Sequence, residues 1–237
     1  VLNKQHKTPK QLAAVPEGAP FTKQASPKNE VWIAPFDAKN IYMRMYHNEL
    51  RTFNPDEAAT ILLFNEYFGG GMNAIVFQEL REARGLAYNA YANYGRVAKK
   101  DEKESFFTHI ITQNDKMMDC VRQFHQILDT IPQSEAAFQI AKDAVLKQLA
   151  SQRTLKMSVI NSYLNMKRLG LDYDLNEKLY RDVQKLTLQD IVRFEQQQVA
   201  RKPYRYVILG DEKELDVPAL EKIGPIRRLS TEEIFGY

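Results

Sequence analysis

Apolar and polar positions alternate in short runs over most of residues 31–112, and from residue 114 to about residue 200 a helical period takes over. Residues 31–36 and 41–50 are rich in β-branched and aromatic side chains. The turn formers Asp37, Ala38, Lys39 and Asn40 separate them, which predicts a hairpin. Asn54-Pro55-Asp56-Glu57 then predicts a helix start: Asn54 as cap, Pro55 at the first helical position, and two acids at the positive end of the dipole. The stretch onward to Phe68 is almost continuously apolar, so that helix is expected to be buried on most sides. Residues 64–88 read as helix, glycine elbow, helix, then strand. Residues 87–97 and 104–112 predict two strands joined by the charged turn at 99–103. Helix starts are expected at Asn114, Ser134 and Thr187, the last with Asp190 at capping-box spacing. Residues 204–209 predict a final strand ending at Gly210 and Asp211.

Strands, two helices, strands, several helices and one strand is not the strict alternation of a parallel α/β fold. It predicts an α+β two-layer sandwich over residues 31–237, a largely antiparallel mixed sheet covered by helices. Residues 1–30 carry Pro9, Pro16, Pro20 and Pro27 without helical or strand period, and read as a linker or strap, or as a disordered end. No internal repeat is visible.

Composition narrows the function classes. The net charge of +3 resides in residues 1–30, where Lys4, Lys7, Lys10, Lys23 and Lys28 face Glu17 and Glu30; the rest of the chain is balanced. A nucleic-acid binder would instead carry a basic face on its folded body. No apolar run approaches the ~18 residues that span a bilayer. Cys120 is the only cysteine, so neither an intrachain disulfide nor a cysteine-cluster metal site is available. The chain starts at Val1 without a charged-then-apolar leader and reads as part of something longer, which leaves bacterial cytoplasm and periplasm both open.

The richest segment for chemistry is residues 64–88. Gly69, Gly70 and Gly71 permit positive φ and close approach of another chain, either as a helix–helix elbow or as a ligand-facing loop. A phosphate loop is excluded, since no Lys-Ser or Lys-Thr follows and no strand precedes. Arg81 and Tyr88 stand seven residues apart; a guanidinium fork and a phenol together can hold the carbonyl oxygens of an extended peptide. The plainer alternative pairs Arg81 with Glu79 or Glu82 on a solvated helix and leaves Tyr88 as a half-buried strand aromatic. Gly85 suits the helix C′ position, and Glu79 and Glu82 are placed to orient Arg81 and Arg84. Tyr88 and Tyr94 share one strand face and Tyr91 the other; two of the three are expected in the core, and part of the set could line a peptide groove by edge-strand pairing. His47 and Glu49 fall on one side of a strand, but two ligands are too few for zinc. His109 and His125 read as structural.

The glycine run followed by Leu-Arg-x-x-x-x-x-x-Tyr, residues 80–88, resembles the substrate-clamping segment in the C-terminal half of pitrilysin/insulinase-type (inverzincin) zinc peptidases. The resemblance covers most of residues 31–237, with specificity concentrated in 64–88. It implies the α+β fold named above, and it implies that Arg81, Tyr88, Gly69, Gly70 and Gly71 bind peptide substrate. Catalytic members hold zinc with His-x-x-Glu-His. The histidines here, His6, His47, His109 and His125, lack that spacing. The resemblance therefore implies a non-catalytic domain that binds no metal itself, closes the chamber beside a zinc-bearing N-terminal half or paired subunit, and shows no peptidase activity alone. A structural or assembly subunit, or a free peptide-binding module, is the alternative. Residues 232–237 are similar to the closing residues of long bacterial members, which implies that this is their last domain. An exposed partner-facing surface would encourage a homodimer of the isolated chain. No nucleic acid or membrane is expected as a partner.

Overall fold

The computed structural model describes residues 13, 14, 18, 22–152 and 155–236. Most of the 1–30 strap, and Tyr237 at the tail, therefore lie outside the described residues. Among the described residues six strands form one mixed sheet: β1 (Glu30–Pro35), β2 (Asn40–His47), β3 (Asn89–Gly95), β4 (Ser105–Gln113), β5 (Arg205–Gly210) and β6 (Ile226–Arg228), in the order β3-β4-β2-β5-β1-β6. The helices are α1 (Ala58–Phe64), α2 (Ile75–Phe77), α3 (Met117–Asp129), α4 (Glu135–Ser151), α5 (Lys156–Arg168), α6 (Leu175–Val183), α7 (Leu188–Gln198), α8 (Val217–Glu221) and α9 (Thr231–Phe235).

The predicted α+β sandwich is the fold observed, but not by way of the predicted hairpin. β1 and β2 do not pair; β5 lies between them, parallel to β1 and antiparallel to β2. The C-terminal strand brings Tyr206 and Ile208, both fully buried, into the middle of the sheet, where Ile33 and Met43 flank Ile208 on either side. Residues 36–39 step across it instead of closing a tight turn. Nor is β5 the last strand, because Ile226–Arg228 adds an edge beside β1.

Strand periodicity decides which face is covered. Ile41, Met43 and Met45 on β2, Ala90, Ala92 and Tyr94 on β3, Phe106 and Ile110 on β4, and Ile208 on β5 all point into one core with α1, α3, α4 and α7. The opposite face carries Tyr91, Phe107 and His109, with the Tyr91 ring edge-on to Phe107 (6.2 Å between centroids) and tilted against His109 (5.0 Å).

The helix expected up to Phe68 starts at Ala58, after a turn in which Asn54 Oδ1 accepts the Asp56 amide (3.1 Å), and it widens into a π-type turn over Asn65–Gly69. The wider turn aims the Asn65 side chain at β3, where it accepts from the Tyr94 amide (2.7 Å) and donates to the Tyr94 carbonyl (2.9 Å). Helix starts at Ser134 and Thr187 are as expected: Ser134 Oγ accepts from the Ala137 amide, and Thr187 with Asp190 forms a capping box. At Asn114 a 3-10 turn precedes α3.

Candidate functional site

The segment from Gly69 to Tyr88 hangs on the β3–β4 end of the sheet. Gly69 is buried so tightly against β3 that a Cβ would sit 1.9 Å from the Ala92 carbonyl oxygen, so packing fixes this glycine. Gly70 and Gly71 are exposed, and only Gly71 (φ +150°) requires glycine for its backbone angle. The three glycines therefore answer to different demands, and positive φ is not shared among them.

After α2 the chain passes through a π-type turn, Gln78–Glu82, which buries Leu80 fully and turns Arg81 outward. Gly85 (φ +57°) ends it as the left-handed C′ residue expected: its amide bonds to the Arg81 carbonyl (3.0 Å), the αL cap, and the Leu86 amide reaches the Leu80 carbonyl (2.8 Å). The following loop is tied to β4. Thr112 donates to the Leu86 carbonyl (2.6 Å) and the Tyr88 amide to that of Ile111 (2.8 Å).

This brings Arg81 and Tyr88 together. The Arg81 guanidinium lies 5.6 Å from the Tyr88 ring centroid and 4.9 Å from that of Phe77, so two aromatic faces hold it. Tyr88 is 74% exposed and the Arg81 side chain 44% exposed. Glu82 approaches Arg81 Nε at 3.7 Å, a solvated contact worth little. Glu79 pairs with Arg84, which also donates to the Glu79 carbonyl. Beside Tyr88 is an open hollow of about 260 Å³ lined by Asn40, Gly85, Leu86, Thr112 and Lys116. The arrangement offers several N–H donors and one phenol to a ligand lying across an open surface.

Edge-strand pairing along β3 is not available as expected. The Asn65 amide occupies the outward backbone groups of Tyr94, and Gly69 covers Ala92. Tyr94 itself is core, Tyr91 packs on the opposite face, and Tyr88, just before the strand, is left to solvent. Asn65 is the residue that sequence reasoning missed; its only signal was a polar amide inside an apolar helix.

The other titratable groups are structural. His47 Nδ1 donates to the Pro203 carbonyl (2.7 Å), burial lowers its pKa, and Glu49 is held by Lys202 (2.6 Å). His47 and Glu49 alone are too few for a metal, and among the described residues no three His, Cys, Asp or Glu side chains gather to hold one. His125 bonds to the Tyr206 hydroxyl. Burial pushes the carboxyls of Glu104 and Glu195 up to about 7 and the Cys120 thiol up to about 12.

The family model for the Peptidase M16 inactive domain matches residues 4–145, more than half of the chain, and the chain belongs to that family. The expected membership of the pitrilysin/insulinase class, in its non-zinc-binding half, is thus met. Solved structures share the fold. The peptidase M16 inactive domain from Pseudomonas fluorescens superposes with a TM-score of 0.66 at 19% identity, over 83% of this chain and 47% of that one. A conserved protein from Enterococcus faecalis V583 gives 0.63 at 16% identity (83% and 45%), and a protease from Helicobacter pylori 0.65 at 14% identity (87% and 50%). The chain spans about half the length of these structures. No curated protein matches it.

Proposed function

We propose that this non-catalytic domain works beside a zinc-bearing half of a metalloendopeptidase, closes its chamber, and holds the backbone of an extended peptide through Arg81 and Tyr88, with Gly70 and Gly71 leaving room for the chain to pass. The observation that carries the reading is the shared exposed surface of Arg81 and Tyr88, 5.6 Å between guanidinium and ring. Arg81 donates to peptide carbonyls from a position fixed by Phe77 and Tyr88, and the Tyr88 hydroxyl adds a further donor. Neither reads side chains, which suits a peptidase with broad sequence tolerance. Zinc and the water-activating base belong to the partner half, and the work of this chain is positioning.

The test is peptide hydrolysis by this chain together with its zinc-bearing half at saturating zinc. Losing a charged donor to a backbone carbonyl predicts that Arg81→Ala lowers kcat/KM by about 100-fold, and losing a neutral one that Tyr88→Phe lowers it about 10-fold. Folding of both variants should be unchanged, because both side chains lie at the surface. If both variants cleave as the wild type does, the clamp is rejected. The competing reading, a scaffold that keeps the fold, draws on the Glu82 contact, which gives Arg81 a partner without any peptide.

A further inference from the structure

A hollow of about 340 Å³ borders the C-terminal ends of α3 and α7. Its lining combines Asp129 and Thr130 at the end of α3 with Glu195 and Gln196 in the last turn of α7, and with Ala200 and Arg201 just beyond. Arg201 has φ +56°, a left-handed conformation that non-glycine residues seldom take. Its amide donates to Asp129 Oδ1 (3.1 Å), so the loop after α7 is pinned to the end of α3. The Arg81 surface lies at the other end of α3, where Lys116 donates to the Gly85 carbonyl (3.3 Å), about 20 Å away along the helix.

Glu195 is the anomaly of this region. It is wholly buried, yet neither carboxyl oxygen has a hydrogen-bond partner among the described residues. The charges that act on it, Asp129 and Arg201, both line the hollow, so the carboxyl is turned toward it. A buried carboxylate without a donor is costly, and native proteins rarely leave one unanswered.

Charge and acceptor number decide what would answer it. With Glu195 ionised, two carboxylates face one guanidinium, which leaves one negative charge in excess. That excess matches a single cation, and the two helix ends add partial negative charge. A divalent metal does not fit: calcium takes six or more oxygens, one Asp129 oxygen is held by the Arg201 amide, and no three His, Cys, Asp or Glu side chains gather among the described residues. An ammonium group needs three acceptors, and the Glu195 oxygens with the second Asp129 oxygen suffice in number. Ile131, Val192 and Ala200 in the same lining give an alkyl stem an apolar wall.

We propose that this hollow binds a primary alkylammonium group, with Glu195 as its buried counter-ion and Asp129 as a further acceptor. A lysine side chain and a small free amine both present that group. The site is separate from Arg81 and Tyr88 and does not depend on the clamp. Protons are linked to it. Around Glu195 stand Asp129 and His125 from α3, Arg201, and the Tyr204 and Tyr206 phenols. Burial lowers the His125 pKa and raises both phenols, so at pH 7 the imidazole is neutral and the phenols keep their protons. Glu195, at about 7, is the group among them that changes charge there. A cation that binds its ionised form displaces about half a proton at pH 7.

The experiment titrates this chain with n-butylammonium and with Nα-acetyl-lysine N-methylamide, followed by amide chemical shifts and by calorimetry in buffers of different ionisation enthalpy; n-butanol is the neutral control. At least one ammonium should give saturable shifts at residues 129–131 and 195–201, and n-butanol none. Glu195→Gln should weaken binding about 30-fold, and Asp129→Asn, at the exposed rim, about 3-fold. Calorimetry at pH 7 should show release of about half a proton from the wild type and none from Glu195→Gln. Melting of both variants checks the fold, and the proton release of the wild type tests the site without any variant. Binding of the lysine amide alone identifies a lysine side chain as the ligand, and of n-butylammonium alone a free amine; either outcome supports the site. The proposal is overturned if neither ammonium gives a saturable shift up to about 50 mM, if n-butanol binds equally well, if Glu195→Gln binds as tightly as the wild type, or if binding releases no proton. Calcium or magnesium binding there in preference to both ammonium probes would overturn the ligand class.

Discussion

Two buried residues answer to packing by opposite means. Gly69 carries no side chain because the Ala92 carbonyl occupies the place where one would go, 1.9 Å from an added Cβ. Gly69→Ala should therefore push the π-type turn off β3 and cost about 3 kcal/mol, read as a shift of the urea midpoint. Glu195 is the reverse case, a carboxyl at 0% exposure with both oxygens unpartnered among the described residues. Burial, then Asp129, raise its pKa to about 7 from 4.5, against the pull of Arg201. A raised acid pKa means that the folded state holds its proton more tightly than the unfolded one. The associated stability is full below pH 4.5 and is lost as pH rises through 7, a change on the order of 3 kcal/mol. Glu195→Gln, which mimics the protonated form, should remove that slope. Equal pH dependence of denaturation for wild type and variant between pH 4.5 and 7.5 would contradict the assignment.

At the scale of elements, local signals were readable wherever a side chain satisfies its own backbone. Ser134, the Thr187–Asp190 pair and Gly85 each do so within four residues, and each is found where the spacing places it. Thr187→Ala should accordingly cost about 1 kcal/mol, measured by thermal or chemical denaturation. Asn65 was not readable, because its partner is the backbone of Tyr94, 29 residues away. The same distance effect defeated the β1–β2 hairpin: a four-residue turn signal is compatible with a step across an inserted strand, and β5 arrives from the far end of the chain. Arg81 and Tyr88 were singled out as a pair by the family resemblance, but their exposure and the aromatic support from Phe77 emerge only once Leu80 and the β4 contacts fix the loop.

For the whole molecule, no three His, Cys, Asp or Glu side chains gather among the described residues, and the one carboxylate near His47 Nε2, Glu49 at 3.6 Å, is held by Lys202. Zinc or a chelator added to the isolated chain should accordingly move its melting temperature by no more than about 1 °C, since a ligand without a site in the folded state does not stabilise it. A zinc-induced rise of several degrees would show a site that these residues do not form. Peptide hydrolysis by the isolated chain would be equally incompatible with the positioning role.

The sequence by itself determined the α+β class, the helix caps at Ser134 and Thr187, and the family resemblance that singles out Arg81 and Tyr88. All of these are written in local periodicity and short spacings, whose physics operates within a few residues. Tertiary structure decided the strand order, the closing of the β3 edge by Asn65 and Gly69, and the burial of Glu195. Each of these depends on which distant segments compete for the same backbone groups and the same core volume, and that competition is settled only when the whole chain packs.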